Sequence, residues 1–178
     1  MKTENFDNLS NKDKRIAIAK DVIKSIEAKI YVAKMGHIVE TPRSLDNRLY
    51  NTIKEFPLQQ LIPKYKCKVC AKGALFLSHV LLYNNYNVQG HFGVSNSDVS
   101  EEVDYFTEEQ MDLIEIAFEG SRWVWHSSSI TMNDETYAIQ FYEKYPKEDE
   151  RLVAIMKNII TNKGKFIPST NLSIGFKD

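Results

Sequence analysis

The sequence predicts a mainly helical α+β fold: one compact domain over residues 1–178, with about five helices, one or two short β-hairpins and a flexible tail at 1–9. Three observations predict it. Apolar residues recur at helical spacing over several stretches of about ten residues or more. Capping side chains precede those stretches, and Gly or Pro closes them. Two short stretches, 29–40 and 121–132, lack that period and read as extended chain. With 178 residues and 43% apolar content the chain is long enough for one sizeable core, and on general scaling it buries roughly 70% of its unfolded-chain surface. No internal repeat and no long linker divides it.

The elements follow in order. After Ser10, with Asp13 as a partial capping box, Ile16, Ala19, Val22, Ile23, Ile26 and Ile30 keep helical spacing and predict a helix over about 12–28. "KIYVAKMGHIVE" then reads as a short hairpin turning at Met35-Gly36. Pro42, Pro57 and Pro63 punctuate the next stretch, where Leu45, Leu49, Ile53 and Phe56 suit a short helix. From Val69 to Tyr83 the apolar residues lie on all sides, the pattern of a helix enclosed by other elements. "NNYNVQGHFGVSNSDVS" reads as loop. Thr107 then signals an N-cap, Gln110 a capping box, Glu108 and Glu109 face the positive end of the helix dipole, and Gly120 is the stop. "SRWVWHSSSITM" reads as extended, with Trp123 and Trp125 on one face. Asn133 opens a helix carrying Tyr137, Phe141 and Tyr145 and ended by Pro146. Leu152, Ile155, Met156, Ile159 and Ile160 define a last amphipathic helix before Gly164.

Charge is distributed unevenly. Residues 90–150 hold 15 of the 24 acidic residues and 3 of the 23 basic ones, so a net charge of −1 conceals an acidic middle flanked by basic ends. From Asp98 to Glu119 the acidic residues run without one Lys or Arg between them. Such a block is either a solvated face or a surface for a basic partner, since carboxylates can stand where phosphates would in a nucleic-acid groove. A polar N-terminus without a signal-peptide pattern, the lack of a membrane-length apolar run and the presence of only two cysteines give the expectation of a cytoplasmic protein.

Cys67 and Cys70 admit three readings. Structural zinc needs two more ligands from His37, His79, His91 and His126. If 67–83 is one helix, His79 lies about 13.5 Å along the axis from Cys70 and about 180° around it, and the other histidines match neither finger nor ribbon spacings. Thiol-redox chemistry gains from a helix N-terminus and from Lys66, Lys68 and Lys72, but "FPLQQLIPKYK" does not read as the strand such a motif needs in front of it. The favoured reading is that both cysteines are small apolar residues seating a buried helix. "NKGK" at 162–165 follows a helix where a phosphate loop would precede one, so it reads as a C-cap. His126 beside Ser127, Ser128 and Ser129 reads as a surface turn, because sequence neighbours seldom have triad geometry. Glu101-Glu102 and Glu108-Glu109 are adjacent pairs that point apart. No catalytic residue, cofactor or metal is expected.

The combination of "RIAIAKDVI", "CKVCAKGALFLSHV", "FTEEQMDLIEIAFEG" and "IMKNIITNKGKFIP" resembles a set of small proteins carried by bacteriophages and other mobile elements, most specifically in the Cys-x-Val-Cys-Ala-x-Gly-Ala piece. The resemblance implies no reaction and no cofactor. It implies a setting in which small proteins bind and disable host machinery, an anti-CRISPR protein acting on an RNA-guided nuclease being one example.

Two functions from different classes follow. The first is a non-enzymatic inhibitor of a host defence protein, with Glu101, Glu102, Glu108, Glu109, Asp112 and Glu115 as its acidic contacts. Trp123 and Trp125, with Tyr142 and Tyr145, would be aromatic anchors, unless both tryptophans are core. The second is an RNA-binding protein using Lys12, Lys14, Arg15, Lys64, Lys66, Lys68 and Lys72, with Tyr65 for stacking. The sequence pI near 6.4 counts against general affinity for nucleic acid.

Overall fold

The computed structural model describes residues 6–40, 56–57, 62, 66–83, 87–88, 94, 96–120 and 130–172. A 3₁₀ turn, Phe6–Asn8, leads into α1 (Asn11–Glu27), β1 (Tyr31–Ala33), β2 (Val39–Glu40), β3 (Phe56–Pro57), β4 (Cys67–Val69) and α2 (Ala71–Tyr83). Then come β5 (Asn87–Val88), α3 (Asn96–Glu102), α4 (Glu108–Glu119), α5 (Met132–Lys144), α6 (Glu148–Thr161) and α7 (Pro168–Leu172). The fold is α+β and mainly helical, with seven α-helices among the described residues where periodicity predicts about five. The two extra helices, α3 and α7, are too short to display a period.

Local chemistry sets the helix ends. Ser10 caps α1, accepting from the Asp13 amide at 3.2 Å and donating to its carboxylate at 2.5 Å. Thr107 caps α4 and Gly120 ends it in the left-handed region at φ 67°, as the sequence indicates. The capping box is not closed by Gln110, however. Its side chain reaches the chain beyond α6 instead, accepting from the Phe166 amide at 2.6 Å and donating to the Phe166 carbonyl at 3.4 Å. Asn158, fully buried on α6, treats Ile167 in the same way, with both bonds at 2.8 Å. Two side-chain amides thus hold consecutive backbone units as a neighbouring strand would. The cap of α5 is Thr131, not Asn133, because Thr131 accepts from the Asp134 amide and its hydroxyl donates to the Asp134 carboxylate.

Helix α2 is the enclosed one. Every residue from Gly73 to Val80 is buried, and each fully buried Leu or Phe there contributes ~1.5–3 kcal/mol. It packs against α1, α3 and α4; α6 lies on α1 and α4, and α5 on α4. The buried apolar side chains form one cluster running from Phe6 to Phe166. Within the stretch expected to be a tail, the Phe6 ring stacks on Tyr83 at 3.7 Å and is 7% exposed, while Asp7 and Asn8 are exposed.

The hairpin expected at 29–40 is not formed. Its turn is present, with Gly36 at φ 82°, and both extended pieces are present. They do not pair with each other: β4 lies between them, parallel to β1 and antiparallel to β2. The physical reason is Gly73. A Cβ at that position would stand 1.6 Å from the Ile38 carbonyl oxygen, so only glycine lets the segment 34–38 cross the start of α2 and spread the two strands around β4. The outer edge of β1 is covered by carboxylates: Ala33 and Met35 donate to Asp149 and Glu148 in the first turn of α6, each at 3.0 Å, and Gly36 donates to Glu119 at 3.0 and 3.2 Å. Blunting an exposed edge in this way removes a template for unwanted strand pairing. β3 and β5 form a separate antiparallel pair. The helix expected between Pro42 and Phe56 and the extended stretch at 121–129, with Trp123 and Trp125, lie outside the described residues, apart from Phe56 itself in β3.

Candidate functional site

The acidic block divides into two groups once folded. One group turns inward. Asp112 (5% exposed) and the half-buried Glu115 both bond to Lys72, which reaches from α2 with only 12% of its side chain exposed; the Asp112 contact is 3.5 Å and Glu115 lies closer. Glu102 faces the Nε2 atom of His79 at 3.5 Å. Glu119 holds Gly36, and burial pushes its carboxyl up to about 6, with the Gly36 amide working in the opposite direction. These groups serve the fold. The other group faces solvent: Glu101, Asp104 and Glu108 are exposed and Glu109 is half-buried, around the corner where α3 gives way to α4.

A cavity of about 470 Å³ opens at that corner, within the range of ~300–1,000 Å³ common for ligand clefts. Val99, Val103, Phe106 and Met111 line its apolar side. Asp104, Glu108 and Asp112 supply carboxylates, and Lys72 is the one cation of the lining among the described residues. With Lys72 bonded to both Asp112 and Glu115, the balance of charge at the opening is negative.

The cysteine pair is not the opening of a helix. Cys67 lies in β4, opposite Tyr31 of β1, and Cys70 is the residue before α2, its Sγ accepting from the Gly73 amide at 3.5 Å. Neither cysteine is in a disulfide, and both are buried. A strand does precede the second cysteine, which the sequence reading missed because three residues are too few to show alternation. Burial, the largest effect, pushes the Cys70 thiol up to about 12, reinforced by Glu119 and Glu115 and opposed by the amides of Gly73 and Lys72. The helix N-terminus therefore loses to desolvation here, and the thiolate needed for exchange chemistry is suppressed. Among the described residues no three His, Cys, Asp or Glu side chains are grouped to hold a metal ion.

Among the described residues, the candidate RNA-binding side chains are not all free at the surface. Lys72 is turned inward and Lys68 is bonded to Glu40 at 3.1 Å. Arg15 donates to the Tyr105 carbonyl at 3.2 Å, and Lys14 stands over the Phe6 ring at 5.2 Å. Lys12 and Lys66 are exposed, on α1 and just before β4, while Lys64 and Tyr65 lie outside the described residues. Tyr142 and Tyr145 are half-buried and pack inward, on Arg151 and Phe141.

Three polar clusters are not evident from the sequence. His79 sits under Phe6, its Nδ1 3.2 Å from the Tyr105 hydroxyl, and burial lowers its pKa while Glu102 opposes that shift. Tyr31 and Ser78 share a hydrogen bond of 2.9 Å in the core, and burial raises the Tyr31 pKa. Arg151 is 1% exposed, with its guanidinium 4.2 Å from the Tyr142 ring centre and 5.3 Å from that of Phe118. It donates to the Tyr145 carbonyl at 2.9 Å and to the Met35 sulfur at 3.1 Å. The interruption of the apolar stripe of α6 by Arg151 was the available signal.

No helix among the described residues is long and apolar enough to cross a membrane. No family model, no curated protein and no solved structure matches the chain.

Proposed function

We propose that the chain is a non-enzymatic binding protein that docks its α3–α4 corner onto a positively charged surface of a partner protein and inhibits it. The observation that carries this reading is the group Glu101, Asp104, Glu108 and Glu109 facing outward beside an open cavity, within a stretch from 98 to 119 that has no Lys or Arg. Exposed ion pairs contribute only ~0–1 kcal/mol each to folding, and concentrated charge of one sign costs self-repulsion. Its physical use is to steer a partner of opposite charge and to fix the register of docking. The partner class is a host defence protein whose nucleic-acid groove is cationic, such as an RNA-guided nuclease, and the carboxylates would occupy the places of phosphates. The resemblance to mobile-element proteins supports that choice of partner.

The test compares the wild-type chain with the variant E101K/D104K/E108K/E109K, each immobilised and exposed to bacterial host extract, with retained proteins identified by mass spectrometry. Basic, nucleic-acid-binding proteins should be retained by the wild type and lost from the variant. Identical sets of retained proteins, with the variant folded by circular dichroism, would overturn the reading. Retention of RNA in place of protein would favour the basic residues as the working surface.

A further inference from the structure

The cavity beside the acidic corner narrows what the partner presents to it. This step rests on the proposed docking face and names the group that enters it. The cavity combines apolar lining from Val99, Val103, Phe106 and Met111 with carboxylates from Asp104, Glu108 and Asp112. An anion is disfavoured there, because Lys72 is already bonded to Asp112 and Glu115. A purely apolar side chain would leave the carboxylates to be desolvated without recompense. The occupant that satisfies both parts of the lining has an apolar stem and a cationic end, which among side chains means arginine or lysine.

Between those two, the geometry points to arginine, and we propose that the cavity between α3 and α4 is a socket for an arginine side chain of the partner's basic surface. Guanidinium is planar, less strongly hydrated than ammonium, able to lie against an aromatic ring, and able to offer several donors to more than one carboxylate at once. Entering a half-closed cavity therefore costs it less and returns more hydrogen bonds. The protein already accommodates one arginine in similar surroundings: Arg151 is buried against Phe118, Tyr142 and the Met35 sulfur, with Glu119 and Glu148 contributing to its electrostatics. Met111 and the carboxylates of the cavity offer the same kinds of group in an open arrangement, beside a Phe106 ring that already has the Arg15 guanidinium 6.0 Å from its centre.

The experiment uses the full chain with two probes, acetylated and amidated nona-arginine and nona-lysine, titrated by calorimetry at physiological salt. Nona-arginine should bind at least about tenfold more tightly. Ser100, exposed on α3 and part of the cavity lining, gives a charge-neutral block: Ser100→Phe should bring nona-arginine down to the affinity of nona-lysine and leave nona-lysine unchanged. On the unmodified chain, methyl signals of Val99, Val103 and Met111 should shift when nona-arginine is added, which keeps the idea testable if the variant folds poorly. Equal affinities for the two peptides, or arginine binding that leaves those methyl signals in place, would overturn the socket while the acidic docking face stands. Failure of both peptides to bind even at low salt would remove the docking face as well.

Discussion

Replacing Gly73 by alanine sets two effects of opposite sign against each other. In the middle of an exposed helix the change is favourable by ~1 kcal/mol, because alanine loses less conformational freedom. Here the added Cβ would sit 1.6 Å from the Ile38 carbonyl oxygen and 2.6 Å from its carbon, both backbone atoms with no rotamer to escape into. Carbon and carbonyl oxygen meet without overlap at about 3.3 Å, so segment 34–38 must retreat by more than an ångström. That displacement pulls the His37 carbonyl from the Cys70 amide, now at 2.7 Å, and strains the pairing of Val39 and Glu40 with Val69 and Lys68. Losing two or three such bonds at ~1 kcal/mol each, and more where a buried group is left unpaired, outweighs the propensity gain. Gly73→Ala should therefore destabilise the protein by about 1–3 kcal/mol, read from urea unfolding midpoints at constant slope. The segment is also bonded to the Cys70 amide, so the variant should loosen the buried Cys70 and react faster with a thiol reagent under native conditions. A variant as stable as the wild type or more so, with Cys70 still protected, would refute the reasoning.

Four further outcomes follow from the site. Lys72→Met leaves Asp112 and Glu115 without their shared ammonium and should cost about 2–4 kcal/mol in urea unfolding, toward the lower end because Glu115 is partly solvated; a loss under ~0.5 kcal/mol would show that the pair is not structural. Burial holds the Glu119 carboxyl near 6 against an ordinary 4.5, so the native state binds that proton more tightly than the unfolded chain; the resulting stability is complete below pH 4.5 and lost as pH rises through 6. Glu119→Gln, which keeps an acceptor for Gly36, should flatten the stability profile in that window and be no less stable at neutral pH; a clear loss there would mean that attraction to Arg151 outweighs desolvation. For His79 the sign is reversed: burial lowers its pKa from 6.5, so the unfolded chain takes up the proton first and stability falls as pH drops below 6.5; an imidazole midpoint at or above 6.5 by NMR would contradict this. With a pKa of about 12, Cys70 is thiolate to about one part in 10⁴ at pH 8, so it should resist Ellman's reagent in the native protein and react once the chain is unfolded; rapid native reaction would reopen the redox reading.

The helices were legible wherever a long period coincided with a cap. Ser10, Thr107 and Gly120 announced their roles because each acts on residues within four positions of itself. What escaped was decided by partners distant in sequence. Gln110 has the right type and spacing for a capping box, yet the Phe166 backbone, 56 residues away, claims its amide. The expected hairpin failed for the same reason: nothing in residues 29–40 reveals that β4 comes between its two arms, and the residue that permits the arrangement, Gly73, lies in a different helix. Cys67 reads as the approach to a helix because its strand is three residues long, too short for alternation to show.

The acidic block shows where a finer reading of spacing would have reached the candidate site. Glu108, Asp112, Glu115 and Glu119 recur at intervals of four, three and four, which places them along one side of α4. A stripe of carboxylates on an otherwise apolar helix needs cations or backbone donors facing it, and Lys72 and Gly36 are those partners, with Glu108 left at the cavity where the stripe emerges. Contiguity in sequence treated all the acids from 98 to 119 as one surface, whereas helical period separates those the fold consumes from those it presents. Glu101, Asp104, Glu108 and Glu109 are what remains once the internal demands are met. Any account of partner binding at this corner has to be carried by those four and by the cavity beside them, so substitutions at Asp112 or Glu115 that weaken binding must first be shown to leave the fold intact.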